Sequence, residues 1–169
     1  DGIDISGSNT ILIENCEIHH TLNGDYTSAN QVDAHGIVAT STKNITIRGC
    51  NIYYFSGDGF QTDPNRSAPW WDSVTVENCK IWTGPLPADF NLWLTGDIPG
   101  ENAVDFKVDP AVVSAGFRAK VALKNIEAYG YAVQPAYVGN RAAFNIKEHI
   151  DATIENCIVH NSEIAFRLR

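Results

Sequence analysis

Acidic and basic side chains alternate in a short segment in the middle of the chain. Asp105 and Lys107 are two residues apart, so in a β-strand they would project from the same face, ~6–7 Å apart. Lys147 takes the position of Lys107 in a similar segment, residues 143–147. A lysine acts as a general base only in its neutral form, which a neighbouring cation or a bound metal ion favours. The pattern predicts Lys107 and Lys147 as catalytic residues.

Carboxylates and other polar groups occur at matching positions of the neighbouring segments. Asp58, Asp63 and Asp105 carry the hard oxygen ligands that Ca²⁺ prefers, so they are the predicted metal ligands and Ca²⁺ is the expected cofactor. A polymer of acidic sugars needs cations and hydrogen-bonding groups beside it, and it is the expected partner. The same polar residues also have a structural interpretation, because ion pairs between neighbouring strands stabilise a solvated sheet face. The predicted substrate-binding residues are Gln61, Trp93, Asn145, Arg167 and Arg169.

Five segments share one frame, in which alternating apolar residues are followed by Asn or Gly. A period of two is typical of a half-buried strand, and Asn and Gly tolerate a left-handed bend. The spacing between the segments is irregular, which excludes a helical repeat of fixed length and favours coils whose turns accept insertions. The segments are residues 11–19, 45–53, 74–82, 121–129 and 152–160.

A second kind of strand begins with Gly or Ala and precedes each of these segments, with one more copy at the end of the chain. The sequence therefore predicts an all-β fold, a right-handed parallel β-helix. It would form one domain over residues 1–169, with about five coils of three strands stacked ~4.8 Å apart. Neither end carries an obvious cap, so we expect a piece of a longer solenoid whose open ends could self-associate. The strands are residues 2–6, 36–40, 59–63, 103–107, 143–147 and 165–169.

Cysteine recurs at one inward position of the repeat. Ile126 replaces it in the fourth coil, so the position accepts a small hydrophobe and the thiols are predicted to lie in the core. A disulfide or a metal site within the column is the less favoured alternative. The cysteines of the column are Cys16, Cys50, Cys79 and Cys157.

Composition excludes several functional classes. The net charge is −8, from 12 basic and 20 acidic residues, whereas nucleic-acid-binding domains are usually basic. No apolar run approaches the ~18 residues that a membrane-spanning helix needs. We therefore expect no nucleic-acid partner and no membrane span.

The repeat resembles the pectate-lyase-like superfamily of right-handed parallel β-helix proteins. Residues 100–107, 142–148 and 163–169 are similar to segments of secreted bacterial β-helix proteins. Many members are polysaccharide lyases, which abstract the C5 proton of a uronate with a Lys or Arg base, often aided by Ca²⁺, and then eliminate the leaving sugar. The resemblance implies that Lys107 or Lys147 is the base and that Arg167 holds the substrate carboxylate. It also implies a secreted or cell-surface location.

Two other functions remain open. Asp58 and Asp63 could act as an acid/base pair in hydrolysis, but the Asp-Asp pair and Gly-His-Gly of the related hydrolases are missing, so elimination ranks higher. A non-catalytic β-helix, such as an adhesin-like or filament-forming surface protein, is the main alternative to a lyase. Fold does not fix function.

Aromatic residues lie in the long turns and on one strand face. Trp93, Tyr131 and Tyr137 could stack on sugar rings or pack over the coil. Trp70 and Trp71 are predicted to cover apolar surface. An outward column on the last strand of each coil is predicted to be a stack of surface aromatics, with a sugar platform as the alternative. The column is His19, Tyr53, Trp82, Tyr129 and His160.

Overall fold

The computed structural model describes residues 1–25, 32–63, 68–132 and 141–169. Tyr137, one of the predicted sugar-stacking residues, lies outside the described residues. Within these ranges the regular structure consists of β-strands. None of the described residues belongs to a helix of the length and apolarity needed to cross a membrane.

The described strands form three parallel sheets, to which each coil contributes one strand. Sheet A contains β1 (Ile3–Ser6), β4 (Ile37–Thr40), β7 (Phe60–Thr62), β10 (Val104–Phe106), β13 (Ala142–Ile146) and β16 (Ile164–Leu168). Sheet B contains β2 (Asn9–Glu14), β5 (Lys43–Arg48), β8 (Ser73–Glu77), β11 (Ala119–Lys124) and β14 (Ile150–Glu155). Sheet C contains β3 (Glu17–Thr21), β6 (Asn51–Phe55), β9 (Lys80–Trp82), β12 (Glu127–Tyr129) and β15 (Ile158–His160).

The strands stack in the register that the repeat predicts. In sheet A, Ile37 pairs with Phe60, Phe60 with Val104, and Val104 with Phe144. Every pairing between these strands is parallel, and each strand pairs with its equivalent in the next coil. The chain is therefore a right-handed parallel β-helix, as predicted.

The turn between sheets B and C bends at the predicted Asn or Gly. Asn78 and Asn125 have φ of 55° and 52°, and Nδ2 of Asn125 donates to Oδ1 of Asn78 at 2.9 Å. Gly49 takes the same position with φ of 63°. A Cβ at Gly49 would lie 2.5 Å from Oδ1 of Asn15, so glycine fits both the conformation and the space.

The core fills the inside of the coil with the inward residues of all three sheets. Phe60 and Phe106 meet edge to face, with ring centroids 5.7 Å apart, and Trp71 closes over Phe106. Trp71 is fully buried, and its Nε1 donates to the carbonyl of Lys107 at 2.9 Å. The prediction that Trp71 covers apolar surface is confirmed, and the same contact fixes the backbone beside the candidate site.

The cysteine column packs as a column of core thiols. All four cysteines are free; Cys50 and Cys79 are buried, and Cys16 and Cys157 are half-buried. Burial raises the pKa of Cys79 to about 11. The interpretation of these residues as small hydrophobes is confirmed.

Candidate functional site

The outward face of sheet A brings most of the predicted site residues together. One column runs through Gln61, Asp105, Asn145 and Arg167, each paired in register with the next. The adjacent column lies two residues later, directly after the end of each strand, and contains Asp63, Lys107, Lys147 and Arg169. We call these two columns the sheet A groove.

Asp105 lies at the centre of the groove and accepts bonds from three side chains. Its Oδ2 is 3.2 Å from Nζ of Lys107 and 3.4 Å from Nζ of Lys147. Its Oδ1 accepts a 3.1 Å hydrogen bond from Nδ2 of Asn145. Nζ of Lys107 also contacts Oε1 of Gln61. These contacts connect three successive coils.

Burial makes this cluster unlike an ordinary surface ion pair. Asp105 is only 3 % exposed, whereas the side chains of both lysines keep 25 % of their surface. Charges interact more strongly where water is excluded, so these two ion pairs contribute more stabilisation than exposed ion pairs do. The two columns of the groove hold four positive side chains and two negative ones: Lys107, Lys147, Arg167 and Arg169 against Asp63 and Asp105. The groove therefore offers net positive charge to an anion.

The backbone around Lys107 is held on both sides. Its N–H donates to Oγ1 of Thr62 at 3.0 Å, and its carbonyl accepts the bond from Trp71. Both of these partners are fully buried. These two bonds fix the backbone from which the Lys107 side chain projects, so only the side chain towards Nζ can move.

A second set of polar groups runs along the turn just before sheet A. Oδ1 of Asp1 accepts from N of His35 at 2.7 Å, and Nδ1 of His35 accepts from N of Asp58 at 2.8 Å. Nδ2 of Asn102 donates to Oδ1 of Asp58 at 2.7 Å, and its Oδ1 accepts from N of Ala142 at 3.2 Å. We call this chain of bonds the turn ladder; it links one coil to the next.

Burial shifts the pKa of two members of the turn ladder. The pKa of Asp58 is raised well above its usual range, by burial first and then by the charges of Asp105 and Glu101. The pKa of His35 is lowered, chiefly by burial. Because Nδ1 of His35 accepts a hydrogen bond, the neutral ring carries its proton on Nε2.

The three predicted calcium ligands do not form a metal site. Asp58, Asp63 and Asp105 are all described, yet no cluster of three acidic, His or Cys side chains that could hold a metal is found within the described ranges. Asp58 belongs to the turn ladder, and both oxygens of Asp105 already accept bonds from Asn145 and the lysines. Two ammonium groups beside a carboxylate repel a cation. The residues present therefore do not fit Ca²⁺.

Two of the loop aromatics pack inward. Trp93 is 0 % exposed, packs against Leu22 and Leu86, and donates from Nε1 to the carbonyl of Asn23 at 3.3 Å. The prediction that Trp93 binds substrate is therefore wrong, because no face of its ring is open to a sugar. Tyr131 is also fully buried and stacks on Phe55, with centroids 6.5 Å apart, so the packing alternative holds for it.

The aromatic column on sheet C forms one continuous stack. Tyr53 and Trp82 lie 4.3 Å apart with 5° between their planes, and Trp82 and Tyr129 lie 5.6 Å apart with 6°. His19 and His160 close the two ends, at 4.9 Å from Tyr53 and 4.8 Å from Tyr129. The ring faces inside the stack are covered by neighbouring rings and are closed to a sugar. The prediction of stacked surface aromatics is therefore confirmed, and the alternative of a sugar platform is not favoured.

Two members of the turn ladder, His35 and Asn102, were not among the predicted site residues. His35 and Asn102 contact Asp58 and lie in the turn beside the groove. The sequence does place both residues at the Asp58 position of their coils. The hydrogen bonds that join these residues to Asp58 and to the neighbouring coils are visible only in the structure.

A separate concavity of about 300 Å³ lies on sheet B, lined by Ser73, Thr75, Lys120, Asp151 and Thr153 among others. It shares no residue with the sheet A groove. Lys120 is exposed there, which makes it a useful control for the groove lysines.

Comparison with known proteins supports the fold. Residues 1–84, the segment that contains β1–β9, match the family model described as right handed beta helix region. No curated protein and no solved structure matches the chain. These findings concern the architecture, so an inference about the reaction depends on the groove.

Proposed function

We propose that the protein binds an acidic polysaccharide in the sheet A groove and cleaves it by β-elimination. The observation that carries the proposal is the convergence of Lys107 and Lys147 on the buried carboxylate of Asp105. Here they share one site and keep part of their surface open to solvent.

The contacts of the two lysines suggest different roles. The ammonium group of Lys107 has two partners, Asp105 and Gln61, which suits a fixed cation that holds the uronate carboxylate. The ammonium group of Lys147 contacts only Asp105 among the described side chains, at 3.4 Å, and is freer to turn towards a substrate. We assign Lys147 as the base and Arg167 as a second group that holds the substrate carboxylate.

The elimination follows from these roles. A cation on the substrate carboxylate makes the C5 proton more acidic, because it stabilises the negative charge that develops as the proton leaves. Lys147 first gives its own proton to solvent and turns away from Asp105. The neutral amine then takes the C5 proton, the C–H electron pair forms the C4–C5 double bond, and the glycosidic oxygen leaves C4 with its bonding electrons. Water then protonates the leaving oxygen. Acidic polysaccharides are extracellular, so the proposal places the protein outside the cell or at its surface.

The test is absorbance near 232 nm, where the unsaturated product absorbs, on polygalacturonate, alginate and other uronate polymers. We expect a rise with the wild-type protein that disappears with Lys147→Ala. Lys107→Ala should mainly raise KM, and Lys120→Ala on sheet B should change nothing. Addition of Ca²⁺ or of a chelator should leave the rate unchanged. Absence of product on every polymer would refute the lyase.

The contacts in the groove also favour a second candidate, a non-catalytic β-helix. Asp105 links three coils through Lys107, Asn145 and Lys147, so the cluster also stabilises the stack. In that case Lys107→Ala with Lys147→Ala would lower Tm and leave polymer binding unchanged. Sedimentation of the wild-type protein would then test whether coils associate end to end.

A further inference from the structure

Two adjacent histidines at one end of the aromatic stack point the same way. Side chains of successive residues in a strand normally project to opposite faces. His20 instead has φ of 56°, in the left-handed region, and its ring meets that of His19 with centroids 4.9 Å apart. Tyr53 and Tyr54 repeat this arrangement one coil later, with φ of 54° at Tyr54 and centroids 5.0 Å apart.

The left-handed bend brings the same nitrogen of both rings together. Nδ1 of His19 lies 2.7 Å from Nδ1 of His20. Without a metal, one of these nitrogens carries a proton and donates a hydrogen bond, and the other nitrogen accepts that bond. Neither ring has another hydrogen bond to a described residue, so the pair makes no competing polar contact that a ligand would have to break.

Neighbouring aromatic rings hold both imidazoles in place. His19 lies flat on Tyr53, with centroids 4.9 Å apart and 17° between the planes. His20 packs against Tyr54 at 5.2 Å and against Phe90 at 5.0 Å. This packing keeps the two Nδ1 atoms close to each other.

We propose that His19 and His20 chelate a divalent transition-metal ion through their Nδ1 atoms, and that the site prefers Cu²⁺ and Ni²⁺ to Zn²⁺. With metal–nitrogen bonds of ~2.0 Å, two donors 2.7 Å apart subtend an angle of about 85° at the metal. Neighbouring ligands in square-planar or tetragonal Cu²⁺ and Ni²⁺ centres are ~90° apart. A tetrahedral Zn²⁺ would need the two nitrogens to move to about 3.3 Å.

The number of protons on the two histidines does not change when the ion binds. The ion forms one bond to each Nδ1, the hydrogen bond between the rings breaks, and the proton on one Nδ1 moves to Nε2 of the same ring through solvent. Both rings must turn away from each other so that the lone pairs of the two Nδ1 atoms meet at the ion. Water fills the remaining positions, because no third His, Cys, Asp or Glu joins the pair within the described residues.

The chain provides a matched control at the other end of the stack. His160 stacks on Tyr129 as His19 stacks on Tyr53, but no second imidazole lies beside it in the described structure. His19→Phe and His160→Phe keep the stack and remove one imidazole each. His20→Asn removes the imidazole and tolerates the left-handed backbone.

The experiment titrates Cu²⁺, Ni²⁺ and Zn²⁺ into chelator-treated protein by calorimetry, and records electron paramagnetic resonance of the Cu²⁺ form. We expect nitrogen hyperfine splitting from two equatorial imidazoles and Ni²⁺ bound at least as tightly as Zn²⁺. His19→Phe and His20→Asn should each weaken Cu²⁺ binding at least tenfold, and His160→Phe less than twofold. A signal from one imidazole, tighter binding of Zn²⁺ than of Ni²⁺, or an equal loss in His160→Phe would overturn the proposal.

Discussion

Nδ2 of Asn145 donates a hydrogen bond of 3.1 Å to Oδ1 of Asp105, the residue paired with it on the neighbouring strand. This hydrogen bond fixes the orientation of the Asp105 carboxylate, so that its Oδ2 faces the two lysines. Both residues are buried. The position of the positive charge in the groove therefore depends on an amide that carries no charge itself.

Replacing Asn145 with Ala should weaken both the fold and the site. The buried Oδ1 of Asp105 would lose its donor, and a hydrogen bond to a charged group contributes about 2 kcal/mol. We expect the free energy of unfolding in urea to fall by about that amount. Asn51→Ala, at an exposed position of sheet C, should change it by less than about 0.5 kcal/mol. Equal losses in both variants would contradict this role of Asn145.

Replacing Asp105 with Asn should be more costly, because two ammonium groups would then face each other with no balancing charge. Removing one partner of a fully buried ion pair costs about 3 kcal/mol or more. Both lysines keep 25 % of their surface here, so we expect a loss between that value and the loss for an exposed pair. The control is Asp151→Asn, whose carboxylate pairs with Arg118 at 2.6 Å but is 57 % exposed. Exposed pairs contribute at most about 1 kcal/mol. Urea unfolding of the two variants would test this difference, and a similar loss for both would show that burial does not strengthen the Asp105 cluster.

The fold could be predicted in detail because a β-helix repeats one local rule. Alternating apolar residues and a bend at Asn or Gly define each coil, and stacking converts sequence positions into columns. Asp4, Val38, Gln61 and Asp105 pair in the order that the aligned segments predict. No long-range pairing has to be guessed when every strand pairs with its equivalent.

Only the part of the site that strand register places could be predicted from the sequence. The convergence of Lys107 and Lys147 on Asp105 follows from the register. Burial of Trp93 does not, because it depends on how the turn between β9 and β10 folds back over Leu22 and Leu86. The pairing of His19 with His20 also escaped prediction, since it requires a left-handed φ at a residue that strand alternation would point the other way.

The raised pKa of Asp58 predicts a stability change with pH. A carboxyl group that holds its proton more tightly in the folded state than in the unfolded state stabilises the fold at acid pH. That contribution is lost as the pH rises from the ordinary value of 3.8 through the raised pKa of the folded state. Asp58→Asn keeps an acceptor for Asn102 and cannot ionise. We expect its unfolding free energy, relative to wild type, to increase from pH 4 to pH 7.

Two measurements make this prediction specific to Asp58. Urea unfolding of both proteins at several pH values gives the difference directly. The same series with Asp4→Asn, an exposed carboxylate on sheet A, should show no such trend. A difference between Asp58→Asn and wild type that stays constant with pH would mean that Asp58 ionises in the folded protein as it does in the unfolded chain.

The thiol column should react with alkylating agents in an order set by burial. The thiolate is the reactive form, and burial raises the pKa of Cys50, of Cys157 and, to about 11, of Cys79. At pH 8 in the folded protein we expect Cys16, which is half-buried, to react first and Cys79 last.

Mass spectrometry after timed iodoacetamide treatment gives the order in which the thiols react. Denatured protein is the control, because all four thiols should react at similar rates in it. Early modification of Cys79 would show that the third coil opens readily, because its thiol is otherwise covered by the stacked coils on both sides.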